Sequence, residues 1–186
     1  MPTVFIAGSI NIKHLDAKVK ECIDKIVESD YDVLVGDADG ADTSIQQYLR
    51  ERAAKRAIVY CSGPTPRNNV GGWSVHAVET PYERGSRAFF TAKDLEMAKA
   101  ADYGLMIWDA KSTGTLSNVI ELLRRKKKSR VFVNKDKAFK DVGDVVQLEQ
   151  LVARMSDVAL KKADVKIHLL EKINSLKIDQ PDMFAV

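Results

Sequence analysis

The chain has 186 residues, of which 45% are hydrophobic and 30% are charged, and this length and composition predict one domain with a sizeable core. The formal net charge of +3 comes from 29 basic and 26 acidic residues. Because these charges nearly balance, composition alone does not indicate a nucleic-acid-binding protein. Any such function would depend on local patches of basic residues.

The two cysteines suggest neither a disulfide nor a zinc site. Cys22 falls in a helical pattern and Cys61 follows a strand pattern, with no second cysteine or histidine cluster beside either. The chain begins directly with a strand pattern, and no apolar run approaches the roughly 20 residues that a membrane span needs. We therefore expect free thiols, no membrane association and a cytoplasmic location.

Apolar runs that alternate with helical patterns define the first half of the chain. Strand patterns cover residues 3–7, 31–36 and 57–60, and amphipathic helices lie between them. This βαβαβ order predicts a right-handed, doubly wound sheet in which the strands run mainly parallel.

The pattern loosens between Cys61 and Arg87, where glycine, proline and asparagine leave only one possible short strand, at residues 73–78. A helix from about 87 to 101 then leads into further strands at 103–108 and 130–134. We therefore predict an α/β fold with a sheet of about five strands and helices on both faces. Residues 1–134 form the predicted core, and residues 135–186 form a helical C-terminal extension of the same compact unit.

Two loops stand where a predicted strand runs into a helix. The first joins Gly36 to Asp42 and the second joins Trp108 to Thr115. In each, an apolar run breaks into small polar residues, which places backbone N–H groups and a helix dipole where an anion binds. Because such loops gather at one edge of an open α/β sheet, together they predict a nucleotide site.

The order of these loops, with Gly8-Ser9 after the first strand and Lys93-Asp94 on the helix before the second loop, resembles the SLOG superfamily. This superfamily of Rossmann-like proteins includes the lonely-guy phosphoribohydrolases and the Smf DNA-processing proteins. The chain is most similar to a small bacterial and phage branch with a Gly-Asp-Ala-x-Gly-Ala-Asp loop and a Trp-Asp-x-Lys-Ser-x-Gly-Thr loop. The resemblance covers about residues 1–134. It implies a Rossmann-like fold, a nucleotide or nucleoside ligand and, in some branches, cleavage of a base from its ribose phosphate.

The loop at residues 112–115 is the best candidate for a phosphate site. Its hydroxyls can cap the helix and contact an anion, and its glycine allows close backbone approach, although an ordinary helix cap has the same pattern. Trp108 is suited either to stacking on a base or to closing the core, and Lys111 can add charge. The predicted nucleotide- and phosphate-binding residues are Gly8, Ser9, Gly36, Gly40, Trp108, Ser112, Thr113, Gly114 and Thr115.

Carboxylates supply the catalytic candidates. Asp37 and Asp39 would repel a phosphate but suit ribose hydroxyls, a developing oxocarbenium ion or a divalent cation. Asp42 is equally consistent with a helix start. Asp94 falls on the apolar face of its helix, where it is either a ligand contact and general acid or a member of a buried network. The predicted catalytic residues are therefore Asp37, Asp39 and Asp94, and the sequence shows no dedicated metal site.

Some positions depart from the pattern of the lonely-guy enzymes. Those enzymes carry an Arg-Lys pair where this chain has residues 93–94, and an acidic residue where it has Ser117 and Asn118. Glu121 does not replace that acidic residue, because the apolar stripe of its helix turns it outward, toward Arg124 or Arg125. Cytokinin-type phosphoribohydrolase activity is therefore not expected.

Basic residues suggest further contacts. Arg84 and Arg87 are placed to close over a phosphate, although surface positions are equally consistent with the sequence. The run at residues 124–130 has the composition of a solvated helix end and, alternatively, of a polyanion contact.

The chain terminus and the C-terminal helices suggest partners. The terminal segment resembles the pentapeptide that binds the bacterial sliding clamp, through Gln180, Asp182, Met183 and Phe184, and its alternative is a tail packed on its own domain. The C-terminal helical patterns predict a cover for the sheet or a contact with a second copy, so we expect a homo-oligomer.

The sequence thus favours a nucleotide-binding protein that hydrolyses or transfers at the N-glycosidic bond of a nucleotide or nucleoside. The alternative is a non-catalytic nucleotide sensor or a DNA-processing accessory protein, associated with the clamp through its tail. No redox cofactor is expected, because a spaced G-x-G-x-x-G fingerprint is missing. A divalent cation remains an open option at the carboxylates.

Overall fold

A seven-stranded sheet organises the chain, of which the structure, a computed structural model, describes residues 1–179. Its spatial order is β4-β3-β2-β1-β5-β6-β7, and every neighbouring pair is parallel except β6 with β7. The strands are β1 (Thr3–Gly8), β2 (Asp32–Gly36), β3 (Ala57–Ser62), β4 (Ser74–Val78), β5 (Tyr103–Trp108), β6 (Lys128–Val133) and β7 (Ala138–Val142).

Helices cover both faces of this sheet. They are α1 (Ala17–Glu28), α2 (Ala41–Glu51), α3 (Arg87–Ala100), α4 (Thr113–Arg124), α5 (Val145–Val152), α6 (Asp157–Ile167) and α7 (Leu169–Asp179). The alternation of side chains along β1 divides the core: Val4 and Ile6 pack with α1 and α2, whereas Phe5 and Ala7 belong to the layer that contains α3 and α4. The predicted doubly wound, mainly parallel α/β fold is confirmed.

The sheet has seven strands where about five were predicted, and the additional strands lie at its two edges. β4 is mostly exposed, and β7 carries the mixed sequence Ala-Phe-Lys-Asp-Val. Because an edge strand is not buried on both faces, it lacks the continuous apolar run that marks a central parallel strand. β7 therefore falls inside the segment that the sequence predicted to be helical.

The last three helices complete one face of the sheet. Leu148 of α5 and Ile167 of α6 belong to the same core cluster as strands β5 and β6, together with Ile173 of α7. Each of α5 and α6 begins at a side-chain cap, Asp144 and Ser156 respectively. The predicted clamp-binding residues Gln180, Asp182, Met183 and Phe184 lie outside the described residues.

The order of the strands reverses at β1, which has β2 on one side and β5 on the other. In open α/β sheets, ligands bind at such a switch point, in the crevice beyond the carboxyl ends of the strands. Among residues 1–179, no helix is long and apolar enough to cross a membrane.

Candidate functional site

A cleft of about 610 Å³ opens at this switch point. It lies beyond the carboxyl ends of β1 and β5, between the first turn of α4 and the start of α3. The residues that line it are Ala7, Gly8, Ile10, Ala38, Asp42, Arg67, Arg87, Phe90, Thr91, Lys93, Asp94, Ser112, Thr113, Gly114, Thr115, Asn118 and Lys166. This position is where the fold predicts a ligand.

Hydroxyl groups hold the first turn of α4 against β1. Ser112 is the N-cap, and its Oγ accepts a hydrogen bond from the Thr115 amide. The Thr115 hydroxyl lies 3.3 Å from both Ser112 Oγ and Ser9 Oγ. Ser9 and Thr115 are buried, so these contacts brace the loop from inside.

The protein already uses part of the amide-rich loop. The Asp109 carboxylate accepts hydrogen bonds from the amides of Lys111, at 2.9 Å, and Ser112, at 2.7 Å. Within residues 1–179, no protein acceptor meets the amides of Thr113 and Gly114. These two N–H groups, at the positive end of the α4 dipole, are therefore available to an anion in the cleft.

Gly114 faces open space. A Cβ at this position would approach only one protein atom outside its neighbours, Ser112 Oγ at 3.9 Å. Its backbone lies in the first turn of a regular helix and has no positive φ. Protein packing therefore does not require a glycine here, whereas a ligand that approaches the backbone closely would require one.

Besides the buried Lys93, three cationic side chains line the cleft: Arg67, Arg87 and Lys166. The Arg67 guanidinium lies over the Phe90 ring at 4.6 Å from its centroid. Arg87 donates to Thr113 Oγ1 and to the carbonyl of Lys166, both at 3.4 Å. The exposed side chains of Arg87 and Lys166 thus stand beside the open amides of α4 and add positive charge there.

A buried ammonium group organises the acidic loop. Lys93 on α3 is only 4% exposed, and its Nζ lies 2.9 Å from Asp94 Oδ1, 3.7 Å from Asp42 Oδ2 and 4.0 Å from Asp37 Oδ1. We call these four residues the Lys93 centre. Burial disfavours the charge, but Asp94 and Asp42 outweigh it and raise the pKa of Lys93 above its usual range.

Asp37 is committed to partners within the protein. Arg67 binds it in a bidentate manner, through Nη2 to Oδ1 at 2.7 Å and Nε to Oδ2 at 3.1 Å, and the Arg67 amide donates to Oδ2 at 2.9 Å. Burial opposes ionisation, but these hydrogen bonds and the charge of Lys93 together lower the pKa of Asp37. Asp37 is therefore an ionised carboxylate with its oxygens engaged.

Asp42 is buried beside Lys93 and accepts a hydrogen bond from the Ala38 amide at 3.2 Å. Burial raises its pKa to about 6, although the charge of Lys93 acts in the opposite direction. Gly36 makes room for this pair, because a Cβ there would collide with Asp42 Oδ2 and Lys93 Nζ. Gly36 is thus explained by the packing of the Lys93 centre.

The predicted site residues divide between the cleft and its surroundings. The predicted residues that line the cleft are Gly8, Arg87, Asp94, Ser112, Thr113, Gly114 and Thr115. Gly8 is also constrained by packing, since a Cβ there would lie 2.8 Å from Ala41 Cβ. Asp94 is half-buried and bound to Lys93, so it belongs to both the cleft and the ionic network.

The remaining predicted residues lie behind the cleft or outside it. Ser9, Gly36 and Asp37 are buried behind it, and Gly40 forms a turn with φ of 79°. Asp39 is exposed and accepts only one side-chain hydrogen bond, from Asn68 at 3.0 Å. The exposed residues Arg84 and Lys111 do not line the cleft.

Trp108 occupies the core rather than the cleft. It is 1% exposed, and its indole N–H donates to the Ser112 carbonyl at 3.0 Å. Of the two roles predicted for Trp108, its burial is therefore consistent with closing the core, and its hydrogen bond also holds the loop before α4 in place. Base stacking by Trp108 is excluded by this burial.

Sequence reasoning missed two central cations. Arg67 lies in the irregular segment between β3 and β4, which has no period that would indicate an inward side chain. Lys93 entered the sequence analysis only through family motifs, as part of the SLOG resemblance and as a departure from the lonely-guy pattern, with no role assigned to its charge. One feature of the sequence could have predicted these cations. The acidic loop carries several carboxylates, and buried carboxylates need a cation beside them.

Two further predictions can be compared with the structure. Glu121 forms ion pairs with both Arg124, at 3.2 Å, and Arg125, at 2.8 Å, which confirms the predicted pairing. Within residues 1–179, no group of three or more histidine, cysteine or acidic side chains is placed to hold a metal ion. Of the two carboxylates considered for a divalent cation, Asp37 lies 4.0 Å from Lys93 Nζ, and Asp39 is exposed and accepts a hydrogen bond from Asn68.

The fold and the cleft define a Rossmann-like α/β protein with a ligand crevice at its switch point. No protein-family model matches the chain, and no curated protein matches it. A solved structure of DNA processing protein A from Helicobacter pylori, described for its single-stranded DNA binding mode, is similar to this chain with a TM-score of 0.54. The match covers 97% of this chain and 82% of the other at 15% identity, and it shows that the two proteins share a fold.

Proposed function

We propose that the protein is a DNA-processing accessory protein that binds single-stranded DNA, with one phosphate at the amino terminus of α4, and does not cleave the N-glycosidic bond. The observation that carries this proposal is the open face of Gly114 beside the two amides without a protein acceptor. A phosphate at this position would accept hydrogen bonds from both amides and gain from the helix dipole.

The surroundings of this position suit a nucleotide unit of a DNA strand. Arg87 and Lys166 provide positive charge for the phosphate, and the exposed Phe90 ring provides an apolar face near a base. The fold neighbour is described as binding single-stranded DNA, which supports the choice of ligand.

The state of the carboxylates argues against hydrolysis. Most glycoside hydrolases use two carboxyl groups that flank the bond, one as acid and one as base or nucleophile. Asp37 is engaged by Arg67 and Lys93, Asp42 is buried beside Lys93, and Asp39 lies outside the cleft. Of the two carboxylates among the described residues that line the cleft, Asp94 is half-buried, and Asp42 is only 6% exposed beside Lys93.

Substitution of Gly114 tests the phosphate position. We expect Gly114→Ala to weaken binding of a fluorescently labelled oligothymidylate, and Gly114→Val to weaken it further, by about tenfold or more, because the added carbons occupy the space of the phosphate. Fluorescence anisotropy measures the affinity, and urea unfolding checks stability. Both variants should stay folded, since the new Cβ meets only Ser112 Oγ at 3.9 Å. Unchanged affinity in two folded variants would contradict the proposal.

An N-glycosidase is the second candidate function, and it is favoured by one observation: the half-buried Asp94 carboxylate lines the cleft. Chromatography of nucleoside mono-, di- and triphosphates incubated with the protein separates the two functions. We expect no release of free base. Base release that disappears in Asp94→Asn would establish the second candidate instead.

A further inference from the structure

The cleft continues into a second depression along α4. This groove of about 360 Å³ lies between α3, α4 and the turn that joins α6 to α7. It shares Arg87, Gly114 and Lys166 with the cleft, so the two spaces are adjacent. A chain-like ligand that leaves the cleft beside Gly114 would therefore pass into the groove.

Basic side chains dominate the groove. We define it as the basic groove by Arg87, Arg124, Lys166, His168 and Lys172, which line it. Within residues 1–179, Arg87, Lys166 and Lys172 form no ion pair, and Arg124 shares its single partner, Glu121, with Arg125. The other lining carboxylate, Asp94, is bound to Lys93. The groove thus holds more positive charge than its own carboxylates balance.

These cations are close enough to act on one another. Burial, together with the charges of Arg124 and Arg87, lowers the pKa of Lys172, and Glu121 only partly opposes them. Because three long side chains from α3, α4 and α7 converge with unrelieved repulsion, an anion in the groove would stabilise the arrangement.

The length of the groove sets the size of the ligand. Ten residues of α4 separate Gly114 from Arg124, which corresponds to about 15 Å at a rise of 1.5 Å per residue. At 3.4 Å per nucleotide of a stacked strand, this is the span of about four nucleotides. One nucleotide at the α4 amino terminus does not span the length to Arg124, whereas a strand does.

We infer that the basic groove is a second phosphate-binding subsite, which receives the backbone of a single-stranded DNA that also places a phosphate at Gly114. This inference rests on the proposed function and extends it: the ligand is an oligonucleotide strand, and helices α6 and α7 contribute part of its binding surface. The strand would run along α4, with Arg124 and Lys172 beside phosphates several nucleotides away from the cleft.

A pair of double variants tests the subsite in the full chain. Arg124→Gln with Lys172→Gln neutralises the far end of the groove, while Lys161→Gln with Lys162→Gln removes the same charge from exposed positions of α6 that do not line it. Anisotropy with an oligothymidylate of about 12 nucleotides, measured across a salt series, gives affinity and salt slope. Calorimetry with thymidine 5′-monophosphate reports the cleft alone.

We expect the groove variant to lose about tenfold in oligonucleotide affinity, and its salt slope to decrease by about 1.4, because each phosphate contact on a single strand contributes about 0.7. Binding of the monophosphate should be unchanged. The control variant should retain the affinity and slope of the parent protein.

Equal losses in the two variants would overturn the subsite, because bulk charge would then explain them, and so would unchanged oligonucleotide binding in the groove variant. Tighter binding of a matched oligouridylate would overturn the assignment to DNA. The test also separates this inference from the proposed function. Failure of Gly114→Val to weaken the monophosphate rejects the phosphate position in the cleft, while the groove variant still decides the subsite.

Discussion

The loops that follow β2 and β5 are similar in local structure but differ in what surrounds them in the folded protein. Both leave a buried parallel strand, pass through small polar residues and enter a helix. The loop at residues 36–42 is closed by Lys93 and Arg67, which arrive from α3 and from the segment before β4. The loop at residues 109–115 keeps two amides and the face of Gly114 open.

A strand-to-helix loop can therefore bind an anion only where the protein's own side chains leave its backbone amides accessible. In the first loop, the carboxylates of Asp37 and Asp42 pair with cations of the protein itself, and they form part of the buried Lys93 centre. In the second loop, Asp109 satisfies two amides and leaves the next two to the cleft. We therefore expect stability to depend most on the first loop, and the proposed DNA binding to depend on the second.

We expect the largest change in stability when the ammonium group of the Lys93 centre is removed. Lys93→Met leaves Asp37 and Asp42 buried without their central cation, so we expect a loss of about 3–5 kcal/mol in the free energy of unfolding, measured in urea. The exposed Lys99, which lies 3.8 Å from Glu96, provides the control. Lys99→Met should cost less than about 1 kcal/mol. Similar costs for the two variants would contradict the structural role assigned to Lys93.

The pH dependence of stability sharpens the same comparison. The pKa of Asp42 is about 6 in the folded protein, against an ordinary value of 3.8, so the folded state binds more protons than the unfolded state between these values. Stability contributed by protonated Asp42 is therefore present at about pH 4 and is lost as the pH rises through about 6, by about 3 kcal/mol at most.

Asp42→Asn should remove this component. We expect the stability of the variant relative to the parent protein to increase from pH 4 to pH 7 and then to level off, as measured by urea unfolding at each pH. Asp37, whose pKa is lowered, acts below this window and serves both proteins equally. A constant difference between the two proteins from pH 4 to pH 7 would show that Asp42 titrates normally.

The smallest effect is expected at the exposed carboxylate of the first loop. Asp39→Asn removes a charge that lies outside the cleft and accepts one side-chain hydrogen bond from Asn68. We expect a change within about 0.5 kcal/mol in stability and no change in oligonucleotide affinity by anisotropy. A clear loss of binding would return Asp39 to the ligand site and weaken the contrast between the loops.

Local patterns were enough to predict the central sheet and the helices around it. The strands β1, β2, β3, β5 and β6 are buried runs of apolar residues, and the stripe on α4 turned Glu121 outward, toward Arg124 and Arg125. For the edge strands, the sequence indicated only a possible short strand at residues 73–78, which is β4, and missed β7, because one-sided burial leaves no continuous apolar signal. The sequence also predicted both loops and a hydroxyl cap from Ser112 or Thr113, and in the structure the cap is Ser112.

The tertiary structure alone decided what each loop does. Lys93 is 51 residues from Asp42 and 56 from Asp37 in sequence, by subtraction of their numbers, yet packing brings its Nζ within 4.0 Å of both. Likewise, the burial of Trp108 and the meeting of Arg124 with Lys172 depend on how α4 and α7 pack on the sheet. Periodicity reports which residues of one element face inward. Electrostatic partners and open surfaces arise between elements, where only the folded chain sets the distances.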